Sequence, residues 1–356
     1  MVNYTSLSTN GQHGLLAGSS TGIDILPQVD IVLNCFLIHL LSLLGIVTNI
    51  LNIIVLSKHS FQETTNILLL SLSVCDLLCS LFQPVRKVHC IAERFHPVFG
   101  LTLKSFTTVY FFLLPDIFVS VSILHTAVIS AERLVAVCFP LHVSRIFTPC
   151  RVKWTILFIY VYTIGLLSPA LFISEFTWVY DNNYNTTRGS VAMSRFYADH
   201  FRVLNEYASG VTPHLFISGP VMLILSCSVV TGFKLIFGRR RVLANMTTSA
   251  TSKQTKDMKV VRMLLTVCAV NGAVAVPTVA IHLFLLYSNL LMLSTGLLTY
   301  VLRSLTIVIY QLIVTINFVF YVTMSSKFAK TLNKIFCVTQ GKTIRKDKLA
   351  NELDLF

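Results

Sequence analysis

Seven blocks of apolar residues, each long enough to cross a lipid bilayer, constrain this chain more than any other feature. They run Ile31–Leu56, Ile67–Val85, Ser105–Ala131, Trp154–Ser174, Val211–Phe233, Met263–Leu302 and Ser304–Ser326. A helix rises about 1.5 Å per residue, so roughly 20 residues cross a hydrocarbon layer about 30 Å thick. The sixth block has 40 residues, too many for one crossing. It reads as span six to about Tyr287, a short loop "SNLLMLSTG" rich in turn residues, and the start of span seven near Leu297, with Arg303 inside span seven. Lipid offers backbone groups no hydrogen-bond partner, and no block alternates as a barrel strand does, so helices are the remaining solution. With 54% hydrophobic and 12% charged residues and a mean hydropathy of +0.73, the chain has too few polar side chains to cover a water-soluble globule. The expected fold is an all-α integral membrane protein, a seven-transmembrane helix bundle. Residues 1–29 form an extracellular tail, 30–336 the bundle ending in the short amphipathic helix "SSKFAKTLNKIF", and 337–356 a cytoplasmic tail.

Charge sets the orientation. With the N-terminus outside, 20 of the 28 Lys and Arg residues fall on the inner side and eight on the outer: Arg86, Lys87, Arg94, Lys104, Arg188, Arg195, Arg202 and Arg303. The positive-inside rule therefore favours an outer N-terminus and an inner C-terminus, and the expected location is the plasma membrane with the N-terminus extracellular. The net charge of +13 is then mostly a cytoplasmic surface facing membrane lipids, and nucleic acid is not implied. The sequons at Asn3 and Asn185 lie in segments placed outside and are candidate glycosylation sites, whereas the one at Asn245 falls inside. The first 30 residues lack a basic leader region, so span one is expected to direct insertion. Among nine cysteines, Cys90 alone sits in an outer loop, so no extracellular pair is expected. Cys337, just past the amphipathic helix, reads either as a palmitoylation acceptor or as a free thiol.

Ionisable residues inside a membrane are costly and face the protein interior. Asp76 lies in the middle of span two, and Asn49 and Asn52, Ser122 and Asn317 supply polar groups at comparable depth on spans one, three and seven. They form either a hydrated pocket that holds a small cation such as sodium at Asp76, or a hydrogen-bond cluster that glues helices. Asp116 lies 17 residues before Arg133, about 25 Å along a helix, in the outer third of the bundle. It is either a counter-charge for a cationic ligand or the partner of a neighbour such as Arg303 or Lys104. Arg86, Lys87, Arg94 and Lys104 either attract an anionic ligand or meet lipid phosphates. His39, His125 and His282 show no metal-ligand spacing.

Several motifs fall in one order on these spans: "GIVTNILNIIVL" with Asn49, "LSLSVCD" with Asp76, Glu132-Arg133-Leu134 at the end of span three, Pro220, Pro277, and "NFVFY" with Asn317 and Tyr321 before "SSKFAKTL". In this the chain resembles the rhodopsin-like (class A) G-protein-coupled receptors from about Asp30 to Phe336. The stretch "ERLVAVCFPLHVSRIFTP" is most similar to molluscan chemosensory-type and related peptide-receptor-like members. The resemblance implies a receptor, not an enzyme, that binds an extracellular chemosensory cue and activates a heterotrimeric G protein through outward movement of helix six. A neuropeptide-type receptor is the alternative. It also implies an activation lock of Glu132, Arg133 and Asp257 with Asn317 and Tyr321, and places Asp116, Arg303, Arg86 and Gln311 among ligand-binding candidates for a small molecule or peptide. No cofactor is implied beyond the sodium ion. The family's usual outer disulfide is missing: Thr108 stands at one of its positions and Glu175–Gly210 holds no cysteine, so the second outer loop is expected to be unpinned. Gln311 stands where an opsin carries its retinal lysine, which excludes that activity. A transporter or channel is the rival class, against which stand the lack of repeat halves and of paired Gly/Pro breaks in spans two and three.

Overall fold

The structure, a computed structural model, describes residues 28–244, then 270, 272–273, 276–281 and 283–284, and 296–336 apart from 326. Among these, six helices are long and apolar enough to cross a membrane, and the described pieces of the sixth block are helical too. A π-helical lead-in, Asp30–Leu37, passes into α1 (Ile38–Leu56). The first loop leads to α2 (Thr64–Lys87), continued by a short α3 (His89–Phe95) and by α4 (Pro97–Tyr110). α5 (Leu113–Cys138) and α6 (Pro149–Leu167) follow. An antiparallel hairpin of β1 (Ser174–Asp181) and β2 (Thr186–Met193) adds two strands to the helical bundle. Beyond it lie α7 (Gly219–Ala244), α8 (Gly296–Met324) and a terminal helix, α9, at residues 327–336.

The bundle is built with its polar stripe inward. On α1 the buried residues are Ile38, Ser42, Gly45, Asn49, Asn52, Val55 and Leu56, spaced three and four apart, while Leu43, Leu44, Val47, Ile50 and Ile54 face outward. Lipid is as apolar as leucine, so helices associate here through small and polar residues and close packing. Gly45 marks the tightest approach: a Cβ there would lie 2.4 Å from Ser80 Oγ of α2 and 3.1 Å from Thr315 Oγ1 of α8. Among the described spans α6 is the least buried, exposing Trp154, Phe158, Val161 and Ile164. One apolar cluster joins α1, α2, α5, α6, α7 and α8 to Phe328 and Leu332 of α9.

Three expectations change. Span three does not run unbroken from Ser105, because α4 ends at Tyr110 and α5 starts at Leu113. Pro115 accounts for this, since its ring has no N–H to donate and collides with the carbonyl four residues earlier, that of Phe111. Second, an outer cysteine pair does exist. Cys35 and Cys90 are joined by a disulfide with Cα atoms 5.8 Å apart, because α3 folds back against the π-helical lead-in. Third, the second outer loop is held in place without the missing disulfide. Gly189 N donates to Thr102 Oγ1 (3.1 Å), Ser105 Oγ donates to Gly189 O (3.1 Å), and Phe106 of α4 meets Phe176 of β1 edge to face at 6.1 Å.

Candidate functional site

The inner end of α5 carries Glu132 and Arg133, and both are almost fully buried. Glu63 adopts extended backbone at the N-cap of α2, so Thr64 and Thr65 open that helix and turn their hydroxyls toward α5. Glu132 Oε1 accepts from Thr64 Oγ1 (2.7 Å) and from Thr65 Oγ1 (3.1 Å), and Glu132 Oε2 pairs with Arg133 Nη2 (3.1 Å). Arg133 Nη2 also donates to Thr65 Oγ1. The carboxylate thus sits at the positive end of the α2 dipole while its charge is met by the arginine beside it. Asp257, the third member expected from the sequence, lies outside the described residues. Nothing in the sequence singled out Thr64 and Thr65; the only available signal was two hydroxyl residues at a helix start.

α9 docks beside this site. Lys327 Nζ meets Glu63 Oε1 at 3.0 Å, His59 Nε2 lies 3.3 Å from Thr331 Oγ1, and Phe328 packs on Tyr321 with ring centroids 5.7 Å apart. Burial, then the Lys327 charge, holds the His59 imidazole below its ordinary value of 6.5.

Deeper in the bundle, Asp76 is fully buried, accepting from Ser122 Oγ at 2.7 Å and from Asn317 Nδ2 at 2.8 Å. Asn49 lies on the same inner stripe but donates to backbone, to Gly45 O at 3.0 Å and Val314 O at 3.1 Å, and it accepts from Asn52. Asp76, Ser122 and Asn317 are therefore brought together directly, with Asn49 in the helix seam beside them.

The break before α5 shapes the outer end. Arg86, near the end of α2, donates Nη1 to Phe112 O (3.0 Å), at the N-cap of α5, and to Asp116 Oδ1 (2.9 Å). The partner of Asp116 is thus Arg86, not Arg303 or Lys104. The pair is lopsided, Arg86 being 13% exposed at its side chain and Asp116 52%, so an accessible carboxylate rests on an anchored cation. Gln311 is buried in the seam, its Nε2 donating to Ser80 Oγ at 3.0 Å. Arg303 is exposed on α8. A second outer cluster that sequence reasoning missed joins span one to span seven: Asn34 Nδ2 lies within hydrogen-bond reach of Asp30 Oδ1 (2.8 Å), Tyr300 OH (3.1 Å) and Ser304 Oγ (3.1 Å). Asn185 is exposed at the hairpin turn with φ 51°, its Oδ1 accepting from Tyr180 OH. Asn3 and Cys337 lie outside the described residues. Among the described residues no group of His, Cys, Asp and Glu could hold a metal by such ligands alone.

Residues 48–321 match the family described as 7 transmembrane receptor (rhodopsin family). Over 122 residues the chain is 42% identical to the cholecystokinin receptor type A of Oryctolagus cuniculus, a stretch covering 34% of this chain and 26% of that receptor. It is 30% identical over 123 residues to the FMRFamide receptor of Drosophila melanogaster, covering 33% of this chain and 22% of that one. Over 121 residues it is 32% identical to the growth hormone secretagogue receptor type 1 of Oryctolagus cuniculus, covering 34% and 32%. The matched stretches thus span about a quarter to a third of these relatives' lengths.

Proposed function

Because the chain belongs to the rhodopsin family of seven-transmembrane receptors, a family of receptors and not enzymes, we propose that it binds an extracellular ligand at its outer end and activates a heterotrimeric G protein at its inner end. The observation that carries the reading is the buried Glu132–Arg133 pair, 3.1 Å apart, at the inner end of α5. A buried arginine held in this way is a restrained group, and a ligand releases it only to the extent that it binds the open state better. Moving the balance from 1:99 to 99:1 takes about 5.5 kcal/mol of such difference. Outward movement of span six would let Arg133 meet the G protein, where nucleotide exchange takes place. In this reading the chain lies in the plasma membrane with its N-terminus extracellular and its basic inner surface against anionic lipid.

For the ligand, a peptide is the reading favoured over a chemosensory cue, since relatives from three receptor types carry peptide or secretagogue names. Asp116, half-exposed on buried Arg86, would take a cationic group of that ligand, an amine or a guanidinium. Asp76 with Ser122 and Asn317 fits a small hard cation, because a fully buried carboxylate is hydrogen-bonded there by two neutral groups.

The test is a signalling screen in cells carrying promiscuous G-protein reporters, with wild type beside Arg133→Ala and Asp116→Asn, challenged with peptides, amines, amino acids and water-borne odorants. A peptide response in wild type is expected to vanish in Arg133→Ala at equal surface level, and to need about tenfold more ligand in Asp116→Asn, roughly 1.4 kcal/mol. Normal signalling from Arg133→Ala would overturn the reading. A current that persists with every G-protein pathway disabled would favour transport instead.

A further inference from the structure

Arg133 has two partners within reach, and one of them is a single oxygen that does two opposite jobs. Thr65 Oγ1 donates its hydrogen to Glu132 Oε1 at 3.1 Å and accepts from Arg133 Nη2. A hydroxyl carries one donor hydrogen and free acceptor lone pairs on the same atom, so it bridges a carboxylate and a guanidinium where a thiol, weak in both roles, or an amide, with donor and acceptor on different atoms, would bridge less well. Thr64 adds a second donor to the same carboxylate oxygen at 2.7 Å. Glu132 and Arg133 are shielded from water, 3% and 9% exposed, with the half-buried Thr64 and Thr65 at their edge. Bonds to charged groups in such surroundings are stronger than neutral ones, and losing a partner leaves a buried charge short of one.

We propose that Thr65, supported by Thr64, is a positioning residue that holds Glu132 and Arg133 in the resting state, so that this chain's lock closes between α2 and α5. The assignment rests on the receptor reading above. For Arg133 to reach a cytoplasmic partner, the Thr65 bridge must break, so the start of α2 and the end of α5 separate, or the arginine turns away, as the receptor opens. Glu63, the residue before Thr64, pairs with Lys327 of α9 at 3.0 Å, which places the start of α2 between the lock and the terminal helix. That pair is exposed on both sides and contributes little energy alone, so the hydroxyls carry the restraint.

The experiment uses the full chain in membranes with a heterotrimeric G protein. It reads ligand-independent nucleotide exchange per surface copy, and the melting of purified receptor, for wild type, Thr65→Val, Thr65→Ser, Glu132→Gln and Thr65→Val with Glu132→Gln. Valine keeps the shape of threonine and loses both bonds, whereas serine keeps them. Thr65→Val is expected to raise basal exchange roughly three- to tenfold, the scale of one charge-assisted hydrogen bond in a two-state equilibrium, and Thr65→Ser to stay near wild type. In the Glu132→Gln background the valine change is expected to add much less, since the bridge already lacks its carboxylate end. Unchanged exchange in Thr65→Val, an equal rise in Thr65→Ser, or full additivity with Glu132→Gln would each overturn the assignment. Should no variant, wild type included, promote exchange while the melting cycle still couples Thr65 to Glu132, the receptor reading fails, and the assignment with it.

Discussion

Two glycine-to-alanine substitutions in this molecule are expected to move stability in opposite directions, and the structure supplies the reason for each. Alanine is the better helix former by about 0.5–1 kcal/mol, so a glycine in a helix with open space around it is a site where adding a methyl stabilises. Gly165, near the end of α6, is such a site, because a Cβ there meets nothing within 4 Å. At Gly45 the same methyl would sit 2.4 Å from Ser80 Oγ, with Thr315 Oγ1 at 3.1 Å and Gln311 Nε2 at 3.2 Å. Ser80 cannot simply turn away, since its hydroxyl accepts from Gln311 Nε2 at 3.0 Å, and both belong to the seam between α1, α2 and α8. Overpacking of this kind typically costs 1–3 kcal/mol, which exceeds the propensity gain and leaves a net loss of about 1–2 kcal/mol. At roughly 2–4 °C per kcal/mol, Gly45→Ala should lower the melting temperature of detergent-purified protein by about 2–8 °C, and Gly165→Ala should raise it by about 1–4 °C. Thiol-dye melting at one fixed scan rate reads both. Adding Ser80→Ala to Gly45→Ala removes the closest atom and should recover part of the loss. Shifts of the same sign at Gly45 and Gly165, or a Gly45→Ala protein as stable as wild type, would refute the packing argument.

The Cys35–Cys90 link closes a loop with a sequence separation of 55, for which chain entropy suggests a stabilisation of about 4 kcal/mol before any strain is counted. Cys35→Ser is expected to lower surface expression and leave Cys90 open to an impermeant maleimide, whereas Cys90 labelled equally in wild type would rule out the bond. In the hairpin, the hydrogen bond from Arg188 at 2.6 Å, then one from Asn183 N, holds the Asp181 carboxyl below its ordinary value of 3.8. A depressed folded value means that this tie is complete above 3.8 and is lost only as the pH falls below it, through the folded value. Amide exchange across residues 174–193 should therefore stay slow from neutral pH down to about 4 and change in Asp181→Asn; a pH step already near 6 would contradict this.

Much of the fold was legible because crossing a membrane is a local requirement. Each span must be long, apolar and helical by itself, so the courses of α1, α2, α7 and α8 follow from runs of residues counted along the chain, and Arg133 falls at an inner end by position alone. The interruption at Phe111 was legible in principle too, through Pro115, but an apolar run conceals a break when only its composition is weighed. The cost of polar groups in a membrane marked Asp76 and Asn317 as interior residues, and the two lie 2.8 Å apart.

What only the tertiary structure decided is which side chain meets which. Thr65 finds Arg133 across 68 residues, Arg86 finds Asp116 across 30, and Gly189 finds Thr102 across 87. Such pairings depend on how each helix is rotated about its axis and where it bends, and a turn of 100° per residue makes that setting sensitive to a single break or π-helical turn upstream. The Cys35–Cys90 bond shows the same dependence: one cysteine lies in an apolar span and the other in a loop, and they meet only because a π-helical lead-in and a folded-back α3 turn them toward each other. Lipid rewards every apolar face alike, so it leaves that rotation open, and the few buried polar and small groups at the seams determine it.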